Sequence, residues 1–419
     1  MILHNEYRVH GGKRVFGEIA TPTSKNAILP IMAASIICQG KTLLKSCPDL
    51  TDIDNMILLL EKVGAKVVRD GEDIEIDASE IVCGDMPEEI SSRFRSSIFM
   101  LGALISRCRY AKVSQPGGCA IGLRSIDIHL EALKKIGVVV REEDDYVVCD
   151  GADMHGADIY LRYASVGATE NIIMASVLLK GKTRIINCAC EPEIVDLQNF
   201  LNKCGAKISG AGTSFITITG VERLHGTQYT AVADRIVAGT YLCFGALNKG
   251  KLCVTNINPK LLSEPINVLK QMGCDVLTTN NAVKINAPTR LNSINMLRTN
   301  PYPDFPTDLQ SLFMSMLALS KGDSIIEENV FENRFHNAHE INKLGGDIVV
   351  QDKLAIIRGV KKLKSGHLIG SDLRGTMGLI LLASAISGVS TIDGAQYVER
   401  GYGNFEQNIA KIGVDIVRL

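Results

Sequence analysis

The sequence contains no tryptophan, and aromatic residues make up only 5% of its 419 residues. Acidic and basic residues nearly cancel, which leaves a formal net charge of −1. Without a basic stripe or an aromatic platform, nothing favours nucleic-acid binding. Any recognition of an anion must therefore come from locally placed Arg and Lys side chains.

Long hydrophobic runs and cysteine frameworks are also missing. The longest apolar runs reach about a dozen residues, short of the ~20 needed to span a bilayer, and the N-terminus has no apolar signal-peptide core. We therefore expect a cytoplasmic protein with no membrane segment. The twelve cysteines lack framework spacing, which is typical of reduced and mostly buried thiols. Neither the Cys188/Cys190 pair nor the His336/His339 pair has a second half at zinc-ligand spacing, so we expect no metal site.

One sequence pattern occurs six times along the chain. Each copy is a helix end followed by a glycine and a strand, and the copies begin 68 to 73 residues apart: LEKVGAKV at 60, LKKIGVVV at 133, LNKCGAKI at 201, LKQMGCDV at 269, INKLGGDI at 341 and IAKIGVDI at 409. A fixed period indicates a repeated supersecondary unit, and the glycine stands where a helix C-terminus needs a left-handed residue.

Each unit also contains a second helix that is apolar nearly all round, such as IVAGTYLCFGALNKG at 236–250 and GTMGLILLASAISG at 375–388. Such a helix must be buried, so we expect it to lie inside a layer of the other elements. The predicted unit is helix, strand, amphipathic helix and hairpin, which makes the protein an α/β protein with six such units.

The sixth copy ends at Leu419 without its partner strand. Residues 7–19 have the same spacing as residues 356–369, which follow the fifth copy, so we expect the N-terminal strands to complete the sixth unit. A single core stops growing near ~250 to 300 residues. We therefore predict two domains of three units each, the first at 25–232 and the second at 1–24 plus 233–419.

Equivalent positions at the start of the buried helices carry unusual charges. Lys25, Arg95, Arg235 and Arg374 each lie within a residue or two of a helix N-terminus. A cation there is unfavourable by a few tenths of a kcal/mol unless an anion binds, which points to an anion site. Solvated flanking charges, or structural ion pairs with Asp234 and Asp372, are the alternative.

A second recurrent loop lies between the short strand and the amphipathic helix. It places Cys119, Arg124, Arg334 and Arg400 at equivalent positions. If these loops converge, they form a cationic cleft lined by several arginines, by the carboxylate of Asp308 and by a thiol. Such a cleft suits a phosphorylated and carboxylated substrate.

The motifs SKNA, PGGCAIGLR, SVGAT, EPEIVD, FPTDLQ, VFENRF, SDLRG and ERGY follow one another along the chain. In this order they resemble the UDP-N-acetylglucosamine enolpyruvyl transferases, and the resemblance covers essentially the whole chain. It implies an inside-out α/β barrel with two domains of three repeats and an active site in the cleft between them. It also implies transfer of enolpyruvate from phosphoenolpyruvate to UDP-N-acetylglucosamine with release of phosphate, in peptidoglycan synthesis. No metal or organic cofactor is implied, and protein partners are not indicated.

The resemblance also implies roles for individual residues. Cys119 matches the cysteine that delivers a proton to C3 of phosphoenolpyruvate or attacks it, and that the epoxide antibiotic fosfomycin alkylates. Asp308 matches the general base for the sugar hydroxyl. Lys25, Arg124 and Arg400 match residues that clamp the phosphate and carboxylate, for which bidentate arginine geometry is suited. A gap-filling thiol and a helix N-cap remain the alternatives for Cys119 and Asp308.

The remaining matches belong to substrate binding. Asp372 and Arg374 match a pair near the reacting carboxylate, although an ion pair between them is also open, and Arg334 belongs to the predicted cleft. The nucleotide-sugar contacts match the following residues: Asn26, Arg95, Ser125, Ile126, Asp127, Ile128, Ser165, Val166, Gly167 and Val330.

Several positions depart from the family pattern, namely Thr23, Ser125, Tyr163 and Gly403. None of them removes a catalytic group, but they leave fewer of the contacts that the family pattern provides for the nucleotide. Two other readings stay open: the related shikimate-pathway enzyme, which as a rule lacks the PGGC loop, and a non-catalytic or specialised paralogue that binds UDP-N-acetylglucosamine.

Overall fold

A computed structural model describes residues 5–82, 86, 88–91, 94–114, 121, 126–143 and 146–419. The described residues form two compact units. The N-terminal unit comprises those of 23–118 and 124–232, and the C-terminal unit comprises those up to 22, Ile121 and 233–419. Each unit has its own hydrophobic core.

Helices alternate with short strands along the whole chain. The α-helices are α1 (Lys25–Ser35), α2 (Thr51–Lys62), α3 (Glu88–Ser91), α4 (Phe99–Cys108), α5 (Asp127–Lys135), α6 (Val166–Ser176), α7 (Pro192–Lys203), α8 (Arg235–Leu247), α9 (Ser263–Gln271), α10 (Gln310–Ala318), α11 (His336–Lys343), α12 (Leu373–Ala385), α13 (Ala395–Val398) and α14 (Phe405–Ala410). Short 3₁₀ turns precede three of them, at Arg95–Ile98, Pro259–Leu262 and Thr307–Leu309. Across the described residues, none of these helices combines the length and the apolar character that a bilayer crossing requires.

Most strands have three to six residues. They are β1 (Glu6–Gly11), β2 (Phe16–Ala20), β3 (Cys38–Gln39), β4 (Lys41–Lys45), β5 (Lys66–Asp70), β6 (Asp73–Asp77), β7 (Tyr110–Ser114), β8 (Val139–Glu143), β9 (Tyr146–Asp150), β10 (Asp158–Tyr160), β11 (Lys182–Ile186), β12 (Lys207–Ser209), β13 (Phe215–Thr219), β14 (Leu224–His225), β15 (Gln228–Thr230), β16 (Lys251–Thr255), β17 (Asp275–Thr278), β18 (Ala282–Asn286), β19 (Met296–Thr299), β20 (Asp323–Glu328), β21 (Asp347–Gln351), β22 (Leu354–Arg358), β23 (His367–Ile369), β24 (Gly388–Asp393) and β25 (Asp415–Arg418).

The strands build sheets of one repeated design. The C-terminal unit has three four-stranded sheets, in the orders β17-β18-β16-β2, β19-β20-β22-β21 and β23-β24-β1-β25. The N-terminal unit has β15-β4-β6-β5 and β10-β11-β13-β12, together with β7-β9-β8 and the two-stranded β14-β3. In each four-stranded sheet, one strand pairs in parallel with the strand that follows a buried helix, and two further antiparallel strands complete the sheet. These two strands form a hairpin in four of the sheets and are β1 and β25 in the fifth. The predicted α/β repeat is therefore confirmed.

The helices that are apolar nearly all round lie at the centre of each unit. Every residue of α8 is buried, and so is every residue of α10. In the C-terminal unit α8, α10 and α12 pack against one another, and in the N-terminal unit α4 packs against α1 and α6. The amphipathic helices bury one face only, as α9 and α11 do. The helices with apolar side chains on nearly every face thus lie innermost, where they are shielded from water.

All six repeat glycines end a helix in the same way. Gly64, Gly137, Gly205, Gly273, Gly345 and Gly413 have φ between +88° and +103°. After each of them the next residue donates its N–H to the carbonyl five residues back, as Ala65 does to Leu60 at 3.0 Å. This is the Schellman arrangement, in which a left-handed residue lets the last carbonyls of the helix find donors. The sequence prediction for these glycines is confirmed.

The N-terminal strands pair with the C-terminal half. Strand β1 lies between β24 and β25 and is antiparallel to both. Strand β2 runs parallel to β16. The sheet β23-β24-β1-β25 is thereby the counterpart of β19-β20-β22-β21, with β1 in the place of β22. The partner strand that the sixth repeat lacks in sequence comes from the chain start, as the spacing predicts.

Replacing Val9 by Ala should test this closure. Val9 is fully buried in the middle strand, so the change should lower the free energy of unfolding by about 2 kcal/mol. Hydrogen exchange should become faster in β24 and β25 and stay unchanged in the N-terminal unit. Arg8→Ala on the exposed face of the same strand is the matched control. Equal exchange in the two variants would contradict the role given to β1.

Candidate functional site

The C-terminal unit brings three of the predicted site residues together. Asp308 lies in the 3₁₀ turn before α10. Its Oδ1 accepts a hydrogen bond from Nη2 of Arg334 at 2.8 Å, and its Oδ2 accepts one from Nη2 of Arg374 at 3.3 Å. Both arginines are at most 5% exposed, whereas the Asp308 side chain is 29% exposed. The carboxylate is thus oriented by two buried cations while it stays open to solvent and to a ligand.

Arg334 has hydrogen-bond donors beyond the one that binds Asp308. Its Nη1 donates to Oγ1 of Thr307 at 3.0 Å, and its guanidinium lies 5.0 Å from the Phe331 ring centroid. Its buried Nε has no hydrogen-bond partner among the described residues. A buried donor left without a partner costs free energy, so this N–H is available to an oxyanion.

Arg374 also binds Tyr402, through a different nitrogen from the one that binds Asp308. The Arg374 Nη1 donates to the Tyr402 hydroxyl at 3.0 Å, and that oxygen lies 2.9 Å from Oγ1 of Thr240 in α8. Burial raises the pKa of Tyr402, so the phenol keeps its proton at neutral pH. A side chain at the start of α12 is thereby joined to α8 and, through Asp308, to the turn before α10.

The aspartates at the helix starts act as caps. Asp372 accepts hydrogen bonds from the backbone N–H groups of Arg374 and Gly375, each at 3.0 Å. Asp234 caps α8 in the same way. The carboxylate with which Arg374 pairs is Asp308. The alternative of an Asp372–Arg374 ion pair is therefore wrong within the described contacts. Asp308 is not an N-cap, because Pro306 holds that position for the 3₁₀ turn and Leu309 holds it for α10.

Three other residues of the C-terminal unit bear on the predicted site: Val330 and Arg400, which the sequence predicts as site residues, and Ile121. Val330 is half-buried in the loop after β20, and its N–H donates to a buried glutamate, Glu328, at 2.9 Å. Arg400 is half-buried in the turn after α13. Ile121 is buried, and its carbonyl accepts a hydrogen bond from the Asn333 N–H at 3.1 Å. The loop that carries Arg334 is thus tied to the one described residue of the segment 115–125.

In the N-terminal unit, Lys25 is the first residue of α1. Its ammonium donates to Oδ2 of Asp52 at 3.0 Å, and both side chains are nearly buried. Asn26 beside it is half-buried. The Ser24 hydroxyl just before the helix has no hydrogen-bond partner among the described residues. Sequence reasoning missed Asp52, although an acid at the start of the next helix was a possible signal.

Residues 165–167 form the start of α6. The Ser165 hydroxyl caps the helix by accepting from the Ala168 N–H at 3.3 Å, and all three residues are half-buried. A Cβ on Gly167 would lie 3.0 Å from Cε1 of His129. The absence of a side chain at Gly167 thus lets the α5 histidine pack against the start of α6.

His129 is a second residue that the sequence prediction missed. Burial, with Arg95 as the smaller cause, lowers its pKa to about 3, so the ring is neutral. Asn171 accepts at Oδ1 from the Gly102 N–H (2.7 Å), which turns its amide nitrogen toward Nδ1 of His129 (2.9 Å). The ring therefore carries its proton on Nε2. Ile126, Asp127 and Ile128 stand at the start of the same helix, and Asp127 pairs with Arg162.

Glu170, also in α6, is fully buried with no hydrogen-bond partner for either carboxylate oxygen among the described residues. Burial, with smaller contributions from Glu193 and Glu191, raises its pKa well above the ordinary value of 4.5. The carboxyl group therefore keeps its proton to a higher pH than an ordinary glutamate does. The sequence did contain a signal for this residue, because an acidic residue within an otherwise apolar helix is unusual.

Three predicted site residues, Cys119, Arg124 and Ser125, lie outside the described residues. Nine described cysteines are free thiols. Burial raises the pKa of most of them, for example that of Cys149 and of Cys274 to about 12. These thiols are poor nucleophiles, because the thiolate is the reactive form.

One group of potential metal ligands is present among the described residues. Glu6, His367 and Asp393 place their ligand atoms within 4.8 Å of one another. The His367 Nδ1 lies 2.9 Å from the Thr391 hydroxyl, and its Nε2 lies 3.2 Å from Oδ2 of Asp393. Because both ring nitrogens are engaged, we assign no metal role to this group.

Comparison with known proteins gives a full-length match. The model of the EPSP synthase family (3-phosphoshikimate 1-carboxyvinyltransferase) matches residues 9–409. UDP-N-acetylglucosamine 1-carboxyvinyltransferase 2 of Caldanaerobacter subterraneus subsp. tengcongensis is 45% identical over 414 residues, covering 99% of each chain. UDP-N-acetylglucosamine 1-carboxyvinyltransferase of Kosmotoga olearia is 39% identical, with 98% of each chain covered.

Solved structures agree on the fold. The enolpyruvyl transferase NikO from Streptomyces tendae superimposes with a TM-score of 0.88 at 25% identity, covering 98% of both chains. EPSP synthase from Acinetobacter baumannii has a TM-score of 0.75 at 16% identity, covering 98% of this chain and 99% of that one. The architecture predicted from the repeats is thus that of the enolpyruvyl transferases.

Glu170→Gln should change how stability depends on pH. The folded state holds the Glu170 proton more tightly than the unfolded state, so the parent loses stability as pH rises above about 4.5. The loss is about 1.4 kcal/mol per pH unit until the folded group ionises. The variant lacks this dependence, so its melting temperature relative to that of the parent should rise as the pH is raised above 5. Glu222→Gln, at an exposed site, is the control; parallel pH curves for Glu170→Gln and the parent would contradict the assignment.

Proposed function

Because the chain belongs to the EPSP synthase family of enolpyruvyl transferases, we propose that it transfers the enolpyruvyl group of phosphoenolpyruvate to the 3-hydroxyl of UDP-N-acetylglucosamine. The full-length similarity to relatives that carry this activity in their names supports the choice of acceptor. The observation that carries the chemistry is the Asp308 carboxylate, which two buried arginines orient and solvent can reach. This reaction supplies peptidoglycan synthesis, and the cytoplasmic location stays a prediction.

The reaction is an addition followed by an elimination. The sugar hydroxyl adds to C2 of phosphoenolpyruvate while C3 gains a proton, and then C3 loses a proton while the C2–O bond to phosphate breaks. Asp308 is proposed to take the hydroxyl proton in the first step. A carboxylate oxygen has two lone pairs and can accept more than one hydrogen bond, so the arginine bonds do not by themselves prevent a hydroxyl from donating to Asp308.

Cys119 is proposed to supply the proton to C3, or to attack phosphoenolpyruvate through its sulfur. An ordinary thiol has a pKa near 8.5 and is mostly protonated at pH 7, while nearby arginines favour the thiolate. The residue is therefore suited to either role. Its placement lies outside the described residues, so this assignment rests on the PGGCAIGLR motif.

The substrate anions need matching cations. Lys25, Arg124 and Arg400 are proposed to hold the phosphate and carboxylate, and Arg374 and Asp372 to stand near the reacting carboxylate. The unpartnered Nε–H of Arg334 supports a further oxyanion contact. Nucleotide-sugar contacts are proposed for Asn26, Arg95, Ser125, Ile126, Asp127, Ile128, Ser165, Val166, Gly167 and Val330.

The same proposal covers the domains. We propose residues 25–232 as one enolpyruvyl transferase domain and 1–24 with 233–419 as the other. Each would contain three repeats, and the N-terminal strands would complete the second domain.

Phosphate release from phosphoenolpyruvate tests the function directly. Release should require UDP-N-acetylglucosamine and should not occur with shikimate 3-phosphate as the acceptor. Asp308→Ala and Cys119→Ala should each lower kcat by about 10²- to 10⁴-fold, because each removes an acid–base group. Asp304→Ala, at an exposed aspartate four residues before Asp308, should stay within about twofold of the parent.

The possible outcomes separate the alternatives. Release with shikimate 3-phosphate alone would assign the chain to the shikimate reaction. No release with either acceptor, combined with measurable UDP-N-acetylglucosamine binding, would make the chain a non-catalytic binder.

Fosfomycin labelling tests the assignment of the thiol. The parent should gain one covalent adduct, measured by intact mass, and peptide mapping should place it on Cys119. Cys119→Ser should abolish the adduct. Cys253→Ser should leave it unchanged, because Cys253 is a half-buried thiol in β16 whose pKa burial raises. Labelling spread over the other thiols would count against Cys119 as the reactive group.

A further inference from the structure

Glu328 is a buried acid at the end of strand β20. It is 3% exposed and is the last residue of the strand. Its backbone is fixed in the sheet, since its N–H donates to the Lys353 carbonyl at 2.9 Å and it pairs with Thr299 of β19. A carboxylate in this position needs hydrogen-bond donors to offset the loss of water.

The donors come first from the loop that follows. Oε1 of Glu328 accepts from the N–H of Val330 at 2.9 Å and from the N–H of Phe331 at 3.1 Å. The side chain thus folds back on its own chain and fixes the first turn of the loop. That loop carries Val330 and Arg334, two of the residues proposed to contact substrate.

A third donor comes from the turn that carries the proposed base. The Thr307 hydroxyl lies 3.0 Å from Oε1 and 2.9 Å from Oε2 of Glu328, and its oxygen accepts from Nη1 of Arg334 at 3.0 Å. The other end of that guanidinium donates to Asp308. One carboxylate therefore connects the turn before α10 to the loop after β20, with Thr307 as the link.

The preceding acid, Glu327, offers a direct contrast. It points to the other side of the strand and pairs at the surface with Arg298 at 2.8 Å and with Lys353 at 2.9 Å. Exposed pairs of this kind contribute little to stability. Two neighbouring glutamates thus differ in their connections, and only Glu328 reaches the loops of the proposed site.

We propose that Glu328 is a positioning residue for the transfer reaction: through the Thr307 hydroxyl it sets the place of Arg334, and through Arg334 the orientation of the Asp308 carboxylate. This inference rests on the proposed function. Glu328 touches neither substrate nor reacting atoms in this scheme. Its effect reaches the reaction because a displacement of about 1 Å in a catalytic group can lower a rate about a hundredfold.

Two variants separate positioning from simple stability. Glu328→Gln keeps Oε1 as the acceptor for the Val330 and Phe331 N–H groups but replaces Oε2, the nearer of the two oxygens to the Thr307 hydroxyl, with an amide nitrogen that cannot accept a hydrogen bond. Thr307→Val removes the same link from its other end. Each should lower kcat about 10- to 100-fold with KM for UDP-N-acetylglucosamine within about threefold. Because both break one link, the double variant should lose no more than the larger single loss. Glu327→Gln is the matched control and should keep parental kinetics.

A second readout does not depend on turnover. Hydrogen exchange of the peptide 329–335 should be faster in Glu328→Ala than in the parent and unchanged in Glu327→Gln, at a temperature where thermal unfolding shows all variants folded. If the parent releases no phosphate, the proposed function fails, while this exchange still decides whether Glu328 holds the loop. Parental kcat in Glu328→Gln, losses that multiply in the double variant, or unchanged loop exchange would each overturn the proposal.

Discussion

The fold depends on the burial of helices that are apolar nearly all round. In the C-terminal unit α8, α10 and α12 exclude water from every face, so sheets and amphipathic helices must surround them. Polar groups on such helices are tolerated chiefly at their ends, where the first N–H groups need acceptors. Asp234 and Asp372 supply acceptors for α8 and α12. The same requirement that shapes the core thus concentrates polar chemistry at the helix starts.

The repeat turns that concentration into a site. Two equivalent helix starts meet in the C-terminal unit, because Arg374 at the start of α12 pairs with Asp308 in the turn before α10. Tyr402 joins Arg374 to Thr240 in the second turn of α8. Packing requires little of the side chains at these ends, so the copies can diverge there without loss of the core. A carboxylate in one copy and an arginine in another become partners. Repetition supplies the frame, and the differences between copies supply the chemistry.

Local rules and the repeat period make much of the fold predictable. The six helix-ending glycines, the buried helices and the pairing of β1 with the C-terminal half all follow from spacing and apolar pattern. The sequence also marks Asp308, Arg334 and Arg374 as candidates but cannot pair them. Their partners come from segments far apart in the chain, and a hydrogen bond across that distance leaves no periodic signal. Asp52, His129 and Glu328 were missed for this reason, since each reads locally as an ordinary helix or strand residue.

The charge of the hydrogen-bonded set around Asp308 bears on how it can work. Arg334 and Arg374 are buried cations, and Asp308 and Glu328 are the carboxylates that join them through direct bonds and the Thr307 hydroxyl. With both acids ionised the set is neutral, which limits the cost of burying two guanidinium groups. When Asp308 takes the hydroxyl proton in the proposed reaction, the set gains one positive charge. When Cys119 supplies the C3 proton in the same step, its sulfur becomes a thiolate, so the charge gained around Asp308 is balanced at the thiol and the addition proceeds without a change in the net charge of the site.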